Sequence, residues 1–80
     1  MNDTVGLYRI EISVADKVIE TVKRGYLNFT GKVEKYPFVR VRDTNGVLWS
    51  INTKNIQYMK ITKLEGEELS VCEDNDNVDN

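Results

Sequence analysis

The first clear pattern in the chain is an alternation of apolar and polar residues near its start. Over Leu7–Val14, the side chains of Tyr8, Ile10, Ile12 and Val14 fall on one face and polar side chains on the other. A period of two with one apolar face is typical of a half-buried strand. The pattern therefore predicts a strand over residues 7–14.

The next segment changes from a strand-like to a helix-like spacing. Its apolar residues Ala15, Val18, Ile19 and Val22 are spaced as on one face of a helix. This spacing favours a short helix over residues 16–24. Because Val, Ile and Thr are β-branched and favour strands, a further strand is the alternative.

Residues 26–35 return to alternation, with Leu27, Phe29, Gly31 and Val33 on one face. They predict another strand, in which Gly31 marks a bulge or the close approach of a second backbone. The one proline, Pro37, indicates a turn after this strand, because proline cannot donate a hydrogen bond to a sheet.

The strongest local signal is Asn45-Gly46 between two runs rich in Val and Ile, which predicts a β-hairpin. Loops of two or four residues would spread the large apolar side chains over both faces. A three-residue loop ending at Gly46 pairs Val41 with Trp49 and gathers these side chains on one face. The same register pairs Val39 with Ile51. It also fits a type I turn followed by a left-handed glycine.

A last strand is predicted over residues 56–62, after a polar turn. In it, Ile56 and Tyr58 share one face while Met59 and Ile61 share the other. A strand that is apolar on both faces either lies inside the core or pairs with another subunit.

Together these elements predict an α+β fold that is mostly β. We expect a small, strongly bent antiparallel sheet or open barrel of about five strands, with one short helix. If residues 16–24 form a strand, the prediction becomes an all-β, SH3-like barrel.

Charge divides the 80-residue chain into a body and a tail, although its length is that of a single domain. Residues 1–63 contain all eleven Lys and Arg and six acidic residues, a net charge of +5, and are predicted to form one β-rich globular domain. Residues 64–80 contain seven acidic residues and no basic one, a net charge of −7. Low apolar content predicts that this acidic tail is largely disordered.

The residue types exclude several kinds of chemistry. The chain has no histidine, so it lacks an imidazole base and a Cys/His zinc site, and its scattered glycines form no phosphate-binding loop. Its one cysteine, Cys72, cannot form an intramolecular disulfide, and neither a signal peptide nor a membrane span is recognisable. We therefore expect a cytoplasmic protein that is not an enzyme and uses no cofactor or metal.

One basic and aromatic cluster is visible in the sequence. In the predicted register, three of its members lie on the outer face of the hairpin, and two precede them around the proline turn. Such a face could bind an anion, a nucleic-acid backbone or an acidic protein surface, or could only be solvated. The candidate binding residues are this cluster and three acids of the tail: Lys35, Tyr36, Phe38, Arg40, Arg42, Glu73, Asp74 and Asp76.

The order of elements over residues 16–61 resembles the Sm/Hfq-like family of small β proteins. The segments that carry the resemblance are the predicted helix, the run around Gly31, the run from Phe38 to Asp43 and the last strand. In that family a helix precedes a strongly bent sheet, with a glycine in the bent first strand and an edge strand that pairs between subunits of a ring. The resemblance implies RNA binding, with Thr44, Asn45 and the turn 52–55 lining a pore.

These observations lead to two hypotheses of function. The first is a small non-enzymatic binding protein that acts by protein–protein interaction as a regulator or inhibitor, and whose acidic tail engages a nucleic-acid-binding protein. The alternative is an Sm-like RNA-binding module with an autoinhibitory acidic tail. A homo-oligomer that pairs through residues 56–62 is compatible with either, and no membrane partner is expected.

Overall fold

The computed structural model of the chain describes residues 6–64, which form five strands, one helix and a short 3-10 turn. In chain order these are β1 (Leu7–Val14), β2 (Lys17–Arg24), α1 (Leu27–Lys35), β3 (Phe38–Arg42), β4 (Leu48–Asn52), the 3-10 turn (Thr53–Asn55) and β5 (Ile56–Lys63). One antiparallel sheet has the order β2-β1-β5, and β3 and β4 form a second. The predicted α+β class with mostly β structure is confirmed at that level.

Strand β1 is confirmed with the predicted bounds, but the helix predicted over residues 16–24 is wrong. This segment is β2, which pairs with β1 so that Ile19 lies opposite Ile12 and Thr21 opposite Ile10. Ile19 and Thr21 are buried on the core side. The strand alternative is therefore correct for this segment, and β-branched propensity decides over apolar spacing. The all-β fold attached to that alternative is wrong, because a helix follows β2.

The strand predicted over residues 26–35 is also wrong, because Leu27–Lys35 is the helix α1. Its buried Phe29 packs into the core, and Tyr26 and Val33 pack beside it at helical spacing. Leu27 and Gly31 are exposed. Gly31 therefore marks no bulge, and it belongs to a helix that lies between β2 and β3.

The β3–β4 hairpin is confirmed with the predicted register. Val41 pairs with Trp49, and Val39 pairs with Ile51. The N–H of Gly46 donates to the carbonyl of Asp43 at 3.0 Å, and Gly46 has a φ of 87°. This is the predicted type I turn followed by a left-handed glycine.

The last strand is confirmed as β5, although its two faces differ from the prediction. The register with β1 shifts between Ser13 and Val14, so that Tyr58 pairs with Ser13 whereas Ile56 pairs with Val14. Ile56 and Met59 consequently pack against the core, and Tyr58 is exposed on the opposite face. A β-bulge thus gives the strand one main apolar face. β5 lies at the edge of its sheet.

The core lies between the three-stranded sheet, α1 and the hairpin. Its buried members come from all three parts and are Ile10, Ile12, Ile19, Phe29, Val39, Val41 and Ile51. Two hydrogen bonds join the hairpin to β2: the Thr21 hydroxyl donates to the Arg42 carbonyl at 2.8 Å, and the Thr44 N–H donates to the Glu20 carbonyl at 2.9 Å. Among residues 6–64 there is no helix with the length and apolar character needed to cross a lipid bilayer.

Candidate functional site

The β3–β4 hairpin is built around the side chain of Asp43. One carboxylate oxygen accepts hydrogen bonds from the N–H groups of Asn45 and Val47, each at 2.9 Å. The other accepts from the indole Nε1 of Trp49 at 2.8 Å. The Trp49 ring packs against the core, and the Lys17 ammonium lies 5.2 Å from its centroid. One side chain therefore fixes the turn and ties it to the core.

These hydrogen bonds hold the pKa of Asp43 below its ordinary value. The bond from Trp49 contributes most, and the N–H of Val47 contributes next, whereas partial desolvation acts in the opposite direction. The N–H groups of Asn45 and Gly46 lower the pKa further. Each donor favours the charged carboxylate over the neutral acid.

The outer face of the hairpin carries three of the predicted binding residues. Phe38, Arg40 and Arg42 lie opposite Asn52, Ser50 and Leu48 respectively. The Phe38 side chain is 57% exposed, and Arg40 and Leu48 are also exposed. Arg42 is half-buried, and its Nη1 donates to the Gly46 carbonyl at 2.9 Å. Arg42 therefore helps to hold the turn, and Arg40 is the more accessible cation.

The other two cluster residues of the body, Lys35 and Tyr36, lie at the end of α1. They line a groove of about 320 Å³, in which the Lys35 ammonium is 5.8 Å from the centroid of the Tyr36 ring. The remaining lining residues are Leu27, Asn28, Gly31 and Lys32. The structure thus assigns the predicted cluster to two surfaces, the hairpin face and this α1 groove.

A smaller hollow of about 90 Å³ adjoins the α1 groove, with which it shares Asn28 and Lys32. It is lined by Lys23, Arg24, Gly25, Asn28, Phe29 and Lys32. The Lys23 ammonium lies 5.6 Å from the centroid of the Phe29 ring. Sequence reasoning missed Lys23, Arg24, Asn28 and Lys32. In the strand predicted there, Asn28 and Lys32 would lie on the face opposite Lys35. The signal that could have found Asn28 and Lys32 is their i, i+4, i+7 spacing with Lys35, which places all three on one face of a helix.

A third concavity, of about 400 Å³, lies where β1 begins and β5 ends. It is lined by Tyr8, Tyr26, Ile61 and Lys63. The two tyrosine rings meet edge to face, with their centroids 5.0 Å apart. This open hollow continues the apolar side of the three-stranded sheet beyond the core.

The described residues offer no candidate metal centre, and the acidic tail lies outside them. Within the described range 6–64, no group of three or more acidic or cysteine side chains is placed to hold a metal ion. The predicted binding residues Glu73, Asp74 and Asp76 lie outside the described residues, as does Cys72.

Comparisons with known proteins add no relative to this picture. No protein-family model, curated protein or solved structure matches the chain. Two observations behind the Sm/Hfq-like resemblance differ in the fold. Gly31 lies in a helix rather than in a bent strand, and the helix follows β2 rather than preceding the sheet. The RNA site that the resemblance implies at Thr44, Asn45 and the turn 52–55 stays a prediction.

Proposed function

We propose that this chain is a small non-enzymatic binding protein that engages a protein partner through the outer face of its β3–β4 hairpin. The observation that carries the proposal is the exposed ring of Phe38 beside the exposed guanidinium of Arg40 on one strand face. Aromatic residues and arginine are enriched at the centres of protein interfaces, where they contribute most of the binding energy. The exposed Leu48 adds apolar area to the same face.

The charge of this face indicates the chemistry of the partner. Its six residues comprise two arginines, two apolar and two neutral polar side chains, with no acid among them. A guanidinium binds a carboxylate with two parallel hydrogen bonds, so Arg40 favours an acidic partner surface. The partner surface that fits best offers a carboxylate near an apolar residue that covers Phe38.

The hairpin is anchored at both ends, which lowers the entropic cost of binding. At the turn, Asp43 holds the loop as described above. At the open end, the Thr53 hydroxyl shares its single proton between the carbonyls of Tyr36 and Pro37, at 2.8 and 3.0 Å. A rigid strand face presents its side chains in one arrangement, as a specific contact surface requires.

Four further proposals accompany this one. The acids Glu73, Asp74 and Asp76 engage a basic surface of a nucleic-acid-binding protein, and the chain acts as a regulator or inhibitor in the cytoplasm. The bonds from Thr21 and Thr44 that join the two sheets support the finer description of an open barrel. Pairing of two copies through β5 is the proposed route to a homo-oligomer, supported by its edge position and the exposed Tyr58.

The test compares affinity capture by the wild type with capture by a Phe38→Ser/Arg40→Gln variant. The matched control is Val18→Ser/Lys63→Gln, which replaces an exposed apolar and an exposed basic residue outside the hairpin face. We expect the wild type and the control to retain the same partner. We expect the hairpin variant to lose it, with affinity for the purified partner at least about tenfold weaker. Equal loss in both variants, or retention in both, would exclude the hairpin face as the contact.

A further inference from the structure

The surface formed by α1 and the end of β2 concentrates positive charge. Four basic residues, Lys23, Arg24, Lys32 and Lys35, line the α1 groove and the hollow beside it, and no acidic residue of the described segment lines either. Because the two concavities share Asn28 and Lys32, they form one continuous surface. Cations of like charge on one face repel each other, so an anionic ligand would relieve this repulsion.

Gly31 lies in the middle of this surface and has no conformational or packing role there. A glycine inside a helix costs stability relative to alanine. The φ of Gly31 is not positive, and a Cβ atom added to it would meet nothing within 4 Å. The absence of a side chain leaves the helix backbone open to a ligand in the α1 groove, which is a common reason for glycine at a binding surface.

The apolar lining of the α1 groove indicates that the ligand is more than a small anion. The ring of Tyr36 is 50% exposed at one end of the groove, and the Leu27 side chain is 56% exposed beside Gly31. An exposed aromatic ring flanked by lysines is suited to stacking on a nucleic-acid base while the cations bind phosphates. Stacking of this kind requires an unpaired base.

We propose that this surface is a binding site for single-stranded nucleic acid. Lys23, Arg24, Lys32 and Lys35 bind successive phosphates, and a base stacks on Tyr36. Asn28, which lines both concavities, forms a hydrogen bond with the ligand as donor or acceptor. A nine-residue helix is roughly 13 Å long, so the site accommodates a few nucleotides. This site does not depend on the hairpin face and goes beyond the protein-binding function proposed above.

The experiment measures binding of the full chain to a fluorescent single strand of about 12 nucleotides and mixed sequence, by anisotropy at ~50 and ~200 mM salt. The first variant is Lys32→Gln/Lys35→Gln. Its matched control, Lys17→Gln/Lys63→Gln, changes the net charge equally at exposed lysines outside the surface. We expect the first variant to weaken binding at least about tenfold and to reduce the log–log salt slope by about 1.4, since each phosphate contact contributes about 0.7. The control should retain most of the affinity.

Two further variants test the stacking and the backbone approach. Tyr36→Ala should weaken binding, whereas Tyr58→Ala, at a similarly exposed tyrosine, should not. Gly31→Ala should weaken binding although it stabilises the helix. The proposal would be overturned by equal losses in the lysine variant and its control, or by no binding of the single strand at low salt. The proposal would also be overturned if a duplex bound as tightly as the single strand and Tyr36→Ala had no effect. Tighter binding to anionic lipid vesicles than to the single strand would overturn it as well.

Discussion

The indole Nε1 of Trp49 donates a hydrogen bond of 2.8 Å to Oδ2 of Asp43, across the loop of the hairpin. The other carboxylate oxygen of Asp43 accepts from two N–H groups of the same loop. The Trp49 ring in turn packs against the core. A polar turn and an apolar cluster therefore specify the same strand register, which keeps the hairpin's outer face in one arrangement.

Replacing Asp43 by asparagine should lower the stability of the fold. The asparagine side chain has the same shape but no charge, and an amide cannot accept hydrogen bonds at both of its terminal atoms. We expect a lower midpoint of thermal unfolding at neutral pH, followed by circular dichroism and by Trp49 fluorescence. Asp16→Asn, in the exposed turn between β1 and β2, is the matched control and should leave the midpoint nearly unchanged. Equal effects of the two variants would argue against the Asp43 contacts.

The lowered pKa of Asp43 predicts a loss of stability in acid. The folded state binds this proton less tightly than the unfolded state, so the contribution of Asp43 is fully present above the unfolded pKa, near 4. It is lost as the pH falls from there through the folded pKa. The difference in unfolding midpoint between the wild type and Asp43→Asn should therefore be largest at neutral pH and should shrink as the pH falls below about 4. A stability difference that does not depend on pH would contradict this account.

Thr21→Val should destabilise the fold by about 1–3 kcal/mol, because it removes one of the hydrogen bonds that join β2 to the hairpin. Thr21 is fully buried, and its hydroxyl donates to the Arg42 carbonyl at 2.8 Å. The matched control is Thr30→Val, which removes an exposed bond of 3.2 Å to the Leu27 carbonyl. We expect the control to change stability by less than about 0.5 kcal/mol in urea unfolding. Similar costs at both sites would show that the bond between the sheets contributes little.

The hairpin could be predicted from the sequence because local and nonlocal signals agree there. Asn45-Gly46 favours the turn, and the three-residue loop is the length that places Val41 and Trp49 on one face. Strand β1 was predictable for a similar reason, since its alternation is uninterrupted. In both segments, the residues that face the core are apolar.

The sequence predicts a helix over residues 16–24, although they contain the strand β2, because the residues of β2 that face the core are not all apolar. Thr21 is buried there, and Lys17 and Lys23 extend over the rings of Trp49 and Phe29. Their aliphatic stems cover apolar surface while the charges remain near water, which hides the period of two. The sequence predicts a strand over the residues of α1, because Leu27 and Gly31 continue an alternation. In the helix, both residues are exposed.

Each candidate site could be predicted only where the secondary structure that carries it was predicted correctly. The outer face of the hairpin could be predicted because its register was correct, and Phe38 and Arg40 lie where the pattern placed them. The basic surface of α1 could not be predicted, because Asn28, Lys32 and Lys35 share one face only in a helix. This segment is helical because Phe29 packs into the core. Its N-terminus has no side-chain cap that could have marked the helix in the sequence.

Gly31→Ala should raise the stability of the fold by about 0.5–1 kcal/mol, since alanine is the better helix former and open space lies in front of the backbone. The matched control is Gly46→Ala. A Cβ added at Gly46 would also meet nothing within 4 Å, but Gly46 has a φ of 87°. This control should lose roughly 1–2 kcal/mol from backbone strain alone. Urea unfolding measures both, and a destabilising Gly31→Ala would show that the helical assignment is wrong.

Ala15→Gly should also stabilise the fold, by about 1 kcal/mol or less, because Ala15 has a φ of 57° in the two-residue turn between β1 and β2. A left-handed conformation strains a residue with a Cβ atom, and glycine relieves this strain at a smaller cost in chain entropy. The neighbouring Asp16 does not have a positive φ. Asp16→Gly is therefore the control, and it should be neutral or destabilising because it adds only flexibility to the unfolded chain. If thermal unfolding shows the same shift for both variants, the strain at Ala15 is not released by glycine and the turn has another conformation in solution.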